Sequence, residues 1–140
     1  KGMLAVADDL GLDALVEAHS EEDLAKVLTT DAGVVGVNAR DLETLELDLE
    51  RALALVPLVP PDRVAVLESG VLTREHVERA LDAGASAVLV GETLMRAPDA
   101  EATIRELRGG RDGPRGARSE RCRTNEDASA RTAADTFRRC

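Results

Sequence analysis

The sequence predicts an α/β fold assembled from four β/α units, and three observations carry that prediction. Apolar, β-rich runs recur four times within residues 1–110, each is followed by a stretch of helical periodicity, and capping residues stand at the junctions. Continuously apolar strands alternating with helices describe a parallel sheet covered by those helices.

The chain opens with "KGMLAVADDLGL" (1–12), read as the end of a helix feeding the first strand, "DALVEA" (13–18). A helix is expected over 20–30, with Leu24, Val27 and Leu28 on one face and Ser20 and Asp23 approximating a capping box. "GVVGVNA" (33–39) is the second strand, and the helix over 48–57 presents Leu49, Ala52, Leu53 and Val56 to the core. "RVAVLES" (63–69) is the third, followed by a helix over 73–83 whose apolar face is Val77, Ala80 and Leu81 and whose cap is Thr73. "SAVLVG" (86–91) is the fourth, with a last helix over 98–108 capped by Asp99. Gly33 and Gly84 stand where a chain leaves a helix through the left-handed region.

Composition bounds the function. Of 140 residues 44% are apolar and 32% charged, enough to bury one core, which must be Leu, Val and Ala because a single Phe is the only aromatic. A net charge of −9 repels a phosphate backbone, and stacking platforms are missing, so nucleic-acid binding is excluded. No stretch approaches the roughly 20 apolar residues of a membrane span, and no signal peptide is evident, so a soluble cytoplasmic protein is expected. Cys122 and Cys140 suggest neither a disulfide framework nor a metal site. Beyond Gly110 the chain has no Leu, Ile, Val or Met, and residues 111–140 are expected to form a disordered Arg-rich tail after a domain at 1–110.

Four units fit either a doubly wound open sheet or half of a (β/α)8 barrel, which typically needs about 250 residues. Because the chain begins with Lys1, it is read as a piece with further strands upstream. Ligands of parallel β/α proteins bind at the C-terminal strand ends. Those ends carry Glu17 and His19; Asn38 and Arg40; Glu68, Ser69 and Gly70; and Gly91 and Glu92.

Gly70 and Gly91, one β/α unit apart, would let an anion approach bare backbone, with the Ser69 hydroxyl as a further donor. Glu17, flanked by apolar neighbours, would have its pKa raised by partial burial, which suits general acid–base work. Asn38 can hold substrate hydroxyls, and Arg40 can clamp an anion or pair with Asp41. Glu68 is either a catalytic carboxylate or a lysine partner. Glu92 would repel an anion and is expected to point outward or to cap a helix through its backbone. His19 is expected in a loop beside the Ser20 cap, and His76 on a solvated helix face. No metal-ligand spacing, phosphate-loop or dinucleotide motif occurs, so no cofactor is implied.

The runs "LVEAHSEEDL", "GVNARDLETLELDL" and "ESGVLTREHVERALDAGASAVLVGETLMRAPD" resemble the C-terminal half of indole-3-glycerol phosphate synthase, a lyase of tryptophan biosynthesis with a (β/α)8 barrel. The resemblance implies strands five to eight of that barrel. It implies ring closure of 1-(2-carboxyphenylamino)-1-deoxyribulose 5-phosphate with loss of CO2 and water, without metal or organic cofactor. It makes Glu17 and Glu68 catalytic, and Asn38, Arg40 and Ser69 substrate-binding. Leu42, Leu45 and Leu89 become an apolar wall for the substrate ring, and Gly70, Gly91 and Glu92 the phosphate end.

The family's catalytic lysines belong to the other half of the barrel; the lysines here are Lys1 and Lys26. Isolated activity is therefore not expected, and a missing half or self-association is. Other phosphate-binding barrels, such as phosphoribosylanthranilate isomerase or a ribose-phosphate isomerase of histidine synthesis, share the glycine ends but predict neither "VNARDL" nor Glu17. A non-catalytic phosphometabolite-binding module is the remaining alternative.

Overall fold

A computed structural model describes residues 2–109; the expected tail and both cysteines lie outside them. The described chain runs α1 (Met3–Asp9), β1 (Leu15–Ala18), α2 (Glu21–Leu28), β2 (Val34–Asn38), α3 (Leu49–Leu55), β3 (Val64–Glu68), α4 (Arg74–Asp82), β4 (Ala87–Leu89), α5 (Glu92–Arg96) and α6 (Ala100–Leu107). The four strands form one parallel sheet in the order β1-β2-β3-β4. This is half of a (β/α)8 barrel, with β1 and β4 as its edges among the described residues.

Caps set the helix starts. Ser20 accepts from the Asp23 N–H at 3.1 Å, Thr73 from His76 and Asp99 from Ala102, and Asp48 does the same for Arg51 at the head of α3. The helix expected over 48–57 is two pieces, because Pro57 has no N–H to continue the ladder and Val56–Leu58 tighten into a 3-10 turn. Gly84 leaves α4 at φ 105°, whereas Gly33 does not adopt a positive φ. The five-residue α5 was not expected, being too short to show a periodicity.

Register and alternation divide the sheet into two faces. One face carries Ala18, Val35, Val37, Ala39, Ala65 and Leu67 into a core with Leu24 and Val27 of α2, Ala52, Leu53 and Leu55 of α3, Val77 and Ala80 of α4, and Leu107 of α6. Val35, Val37 and Leu67 are fully buried there, each worth about 1.5–3 kcal/mol in removed apolar surface. Leu81, expected with Val77 and Ala80, falls on the flank of that stripe and is 46% exposed.

The opposite face carries Leu15 and Glu17 of β1, Gly36 and Asn38 of β2, Val66 and Glu68 of β3, and Leu89 of β4. In a closed barrel this face lines the interior. Here it holds the polar residues of the strand ends.

Candidate active site

Two carboxyl groups meet above the second strand. Glu17 pairs in register with Gly36, and Gly36 with Val66; one level higher, Asn38 lies between Glu68 and the end of β1. Glu68 is 4% exposed and its Oε1 has no hydrogen-bond partner among the described residues. Burial raises its pKa to about 7, and the Glu17 carboxylate adds to the rise by like charge and by the hydrogen bond between the two groups. Glu17 itself is exposed, so the burial expected of it falls on Glu68 instead. Among the described residues no lysine answers Glu68; its neighbour is another acid.

Asn38, 6% exposed, fixes the arrangement from above. Its side-chain amide donates to Glu17 Oε2 at 3.2 Å and its carbonyl accepts from the Arg40 N–H at 2.9 Å. Both ends of the amide are engaged, so its orientation is set.

Arg40 begins the loop between β2 and α3. Its guanidinium donates to the Leu45 carbonyl at 3.2 Å and to Glu92 Oε2 at 2.8 Å, rather than pairing with Asp41. Asp41 is occupied otherwise: its Oδ1 accepts from the Glu43 and Thr44 N–H groups, which holds its carboxyl below the usual range and folds the loop back. Leu45 takes φ 62° at the loop's turn, a left-handed conformation unusual for a bulky residue, and Arg40 meets Leu47 in an antiparallel bridge. Leu42, Leu45 and Leu89 are 58%, 64% and 49% exposed, so apolar surface is available where a ring wall was expected.

The glycine ends are adjacent. Glu68 and Leu89 pair in register, so Gly70 and Gly91 each lie two residues beyond a matched pair, and the Thr93 hydroxyl joins the two loops by donating to the Val71 carbonyl at 2.8 Å. Ser69 and Gly70 adopt φ 64° and 69° in succession. A side chain on Gly70 would stand 2.6 Å from Leu47 Cδ2, whereas Gly91 has open space around it. Glu92 does not point away from the site; its two oxygens hold Arg40 and Arg96, the latter at 2.9 Å. The Glu92 carboxylate is thereby met by a guanidinium on both sides.

The histidines divide. His19 lies beside the Ser20 cap, with Nδ1 2.9 Å from Asp23 Oδ2. His76, expected to be solvated, instead turns Nδ1 to the β3–α4 loop, 3.1 Å from the Gly70 carbonyl and 3.3 Å from the Leu72 N–H that donates to it. Gly36 was not among the expected site residues, although a glycine inside an apolar strand is itself a signal of close approach. Among the described residues no cluster of three metal-ligating side chains occurs, and no helix is long and apolar enough to cross a membrane.

The family described as indole-3-glycerol phosphate synthase matches residues 1–107. Relatives of that name include proteins from Lachnoclostridium phytofermentans, 42% identical over 76% of this chain and 40% of its own length, and Ruminiclostridium cellulolyticum, 44% identical over 78% and 42%. The chain thus spans about 40% of the length of the relatives it matches. Among solved structures, mandelate oxidase with benzoyl-formic acid superposes with a TM-score of 0.53 at 24% identity, covering 69% of this chain and 33% of that one, a likeness of fold alone. With four parallel β/α units and a family match over three quarters of its length, this chain belongs to the indole-3-glycerol phosphate synthase family.

Proposed function

We propose that this chain supplies the strand-five-to-eight side of an indole-3-glycerol phosphate synthase active site, acting on 1-(2-carboxyphenylamino)-1-deoxyribulose 5-phosphate. The observation that carries the reading is the buried Glu68 carboxyl, held against Glu17 with a pKa of about 7. A carboxyl titrating at neutral pH both gives and accepts protons efficiently there.

After ring closure and loss of CO2, the remaining hydroxyl needs a proton to depart as water, and the ring must then release one to become aromatic. Glu68 and Glu17 perform both transfers as a pair: one proton leaves with the hydroxyl, one returns from the ring, and the pair is restored. Asn38 holds the Glu17 carboxylate in place and presents its amide to the substrate. Arg40 and Ser69 position the substrate's polar groups, with Leu42, Leu45 and Leu89 against its aromatic ring. The phosphate sits against the backbone at Gly70 and Gly91, and Glu92 contributes there by holding Arg40 rather than by touching the anion.

Ring closure itself needs an acid that these residues do not provide. Lys26 is on the surface of α2, paired with Glu22 at 2.8 Å, and the family's catalytic lysines belong to strands one to four. The edges of β1 and β4, which no strand covers among the described residues, are the places where that half of the barrel, or a second copy of this chain, completes the sheet.

Complementation tests the reading. The full chain is mixed or co-expressed with the strand-one-to-four half of a family relative, and formation of indole-3-glycerol phosphate is followed by the fluorescence of its indole ring. Turnover is expected, and its loss with Glu68→Gln. A folded stoichiometric complex that gives no product would overturn the assignment.

A further inference from the structure

Glu17 and Glu68 belong to strands that are not neighbours. β2 runs between them, and across two strand spacings of about 4.8 Å each their backbones are about 10 Å apart. They also differ in level, since Glu17 is in register with Gly36 and Glu68 with Asn38. For the carboxyls to meet, the Glu68 side chain must lean back one level and lie over the middle of β2. It does so above Gly36.

A Cβ built on Gly36 would overlap Glu68 Oε1 and would stand 2.9 Å from Glu68 Cδ and 2.7 Å from Leu15 Cδ2. Gly36 has no positive φ, so the backbone there does not require glycine. The space above its Cα is what is used, and the Glu68 carboxyl occupies it. Strand interiors disfavour glycine because it packs nothing and loses more entropy on ordering, so a glycine here carries a stability cost that needs an offset elsewhere.

We propose that Gly36 is a positioning residue of the active site: by lacking a side chain it opens a passage across β2 through which the Glu68 carboxyl reaches Glu17, making two separate acids one proton-sharing pair. The inference rests on the proposed roles of Glu17 and Glu68. Its geometric part stands without them. The charged group acting on Glu68 is Glu17 from β1; Arg40, from the loop after β2, is engaged by Glu92 and the Leu45 carbonyl.

The test follows the Glu68 side-chain carboxyl by NMR titration of the full 140-residue chain, carbon-13-labelled at glutamate, which requires no turnover. In the parent chain Glu17→Gln is expected to lower the Glu68 midpoint by roughly one pH unit, the coupling of an interacting pair. With Gly36→Ala in place, the same Glu17→Gln change is expected to move Glu68 little, because the two carboxyls no longer meet. In the complemented enzyme Gly36→Ala should shift the pH profile of kcat while changing KM less.

Should Gly36→Ala fail to fold, trimming both Glu68 and Leu15 to Ala in that chain is expected to restore folding by removing the side chains that occupy the space. The proposal is overturned if Glu17→Gln leaves Glu68 unmoved in the parent chain. It is overturned equally if the coupling survives Gly36→Ala, or if trimming Glu68 and Leu15 to Ala does not rescue a misfolded Gly36→Ala chain. A chain that fails complementation but passes the titrations sinks the proposed function and leaves the passage intact.

Discussion

Replacing Glu68 by Gln isolates the energetic consequence of holding a carboxyl at a pKa of about 7. A group that binds protons more tightly folded than unfolded makes stability fall as pH rises between the two pKa values. For Glu68 that window runs from its ordinary 4.5 to about 7. Below it both states are protonated and no penalty applies; above it the folded chain carries a buried charge beside Glu17. At about 1.36 kcal/mol per pH unit, the full window is worth up to about 3 kcal/mol. Sharing of the charge with exposed Glu17 and relaxation of the open sheet face lower the expected value to about 1–2 kcal/mol. Gln keeps the shape, still donates to Glu17, and does not ionise. Urea unfolding of the full chain at pH 5 and pH 8 measures the effect. Glu68→Gln is expected to lie much closer to the parent at pH 5, near the lower end of that window, than at pH 8, where it should exceed the parent by about 1–2 kcal/mol. Equal differences at both pH values, or a variant less stable at pH 8, would refute the account of this site.

Gly70→Ala and Gly91→Ala should separate. The first meets Leu47 and a φ of 69°, and is expected to lose about 1–2 kcal/mol by thermal melting; the second has open space and should stay within about 0.5 kcal/mol. If both glycines contact phosphate, each variant weakens inorganic phosphate binding in the complemented enzyme, measured by calorimetry. Asn38→Ala leaves Glu17 Oε2 and the Arg40 N–H without their partner at a nearly closed position, and should cost about 1–3 kcal/mol in urea unfolding. Glu92→Gln weakens an exposed ion pair, so the urea midpoint should move by less than the equivalent of about 1 kcal/mol, with that small difference disappearing in high salt.

The repeating units were legible because each depends on its own neighbours in sequence. An apolar run of four to six residues, a helical stripe such as Leu24 and Val27, and a Ser, Thr or Asp ahead of it act within one or two turns of chain. Where that locality failed, a specific residue intervened. Pro57 cut a helix short, α5 was too brief to have a pattern, and Leu81 matched the period yet missed the packed surface.

By itself the sequence determined the class of fold, the order of its units and the set of chemical groups gathered at the strand ends, since periodicity and strand direction suffice to place them. Only the tertiary structure decided which of those groups touch. It buried Glu68 rather than Glu17, gave Arg40 to Glu92 rather than Asp41, turned His76 toward the Gly70 carbonyl, and put the empty space of Gly36 beneath a carboxyl 32 residues further along the chain. The physical reason is distance: burial and Coulomb interaction depend on separations of a few ångströms between side chains of different strands, and those are fixed by sheet register and the packing of helices behind it.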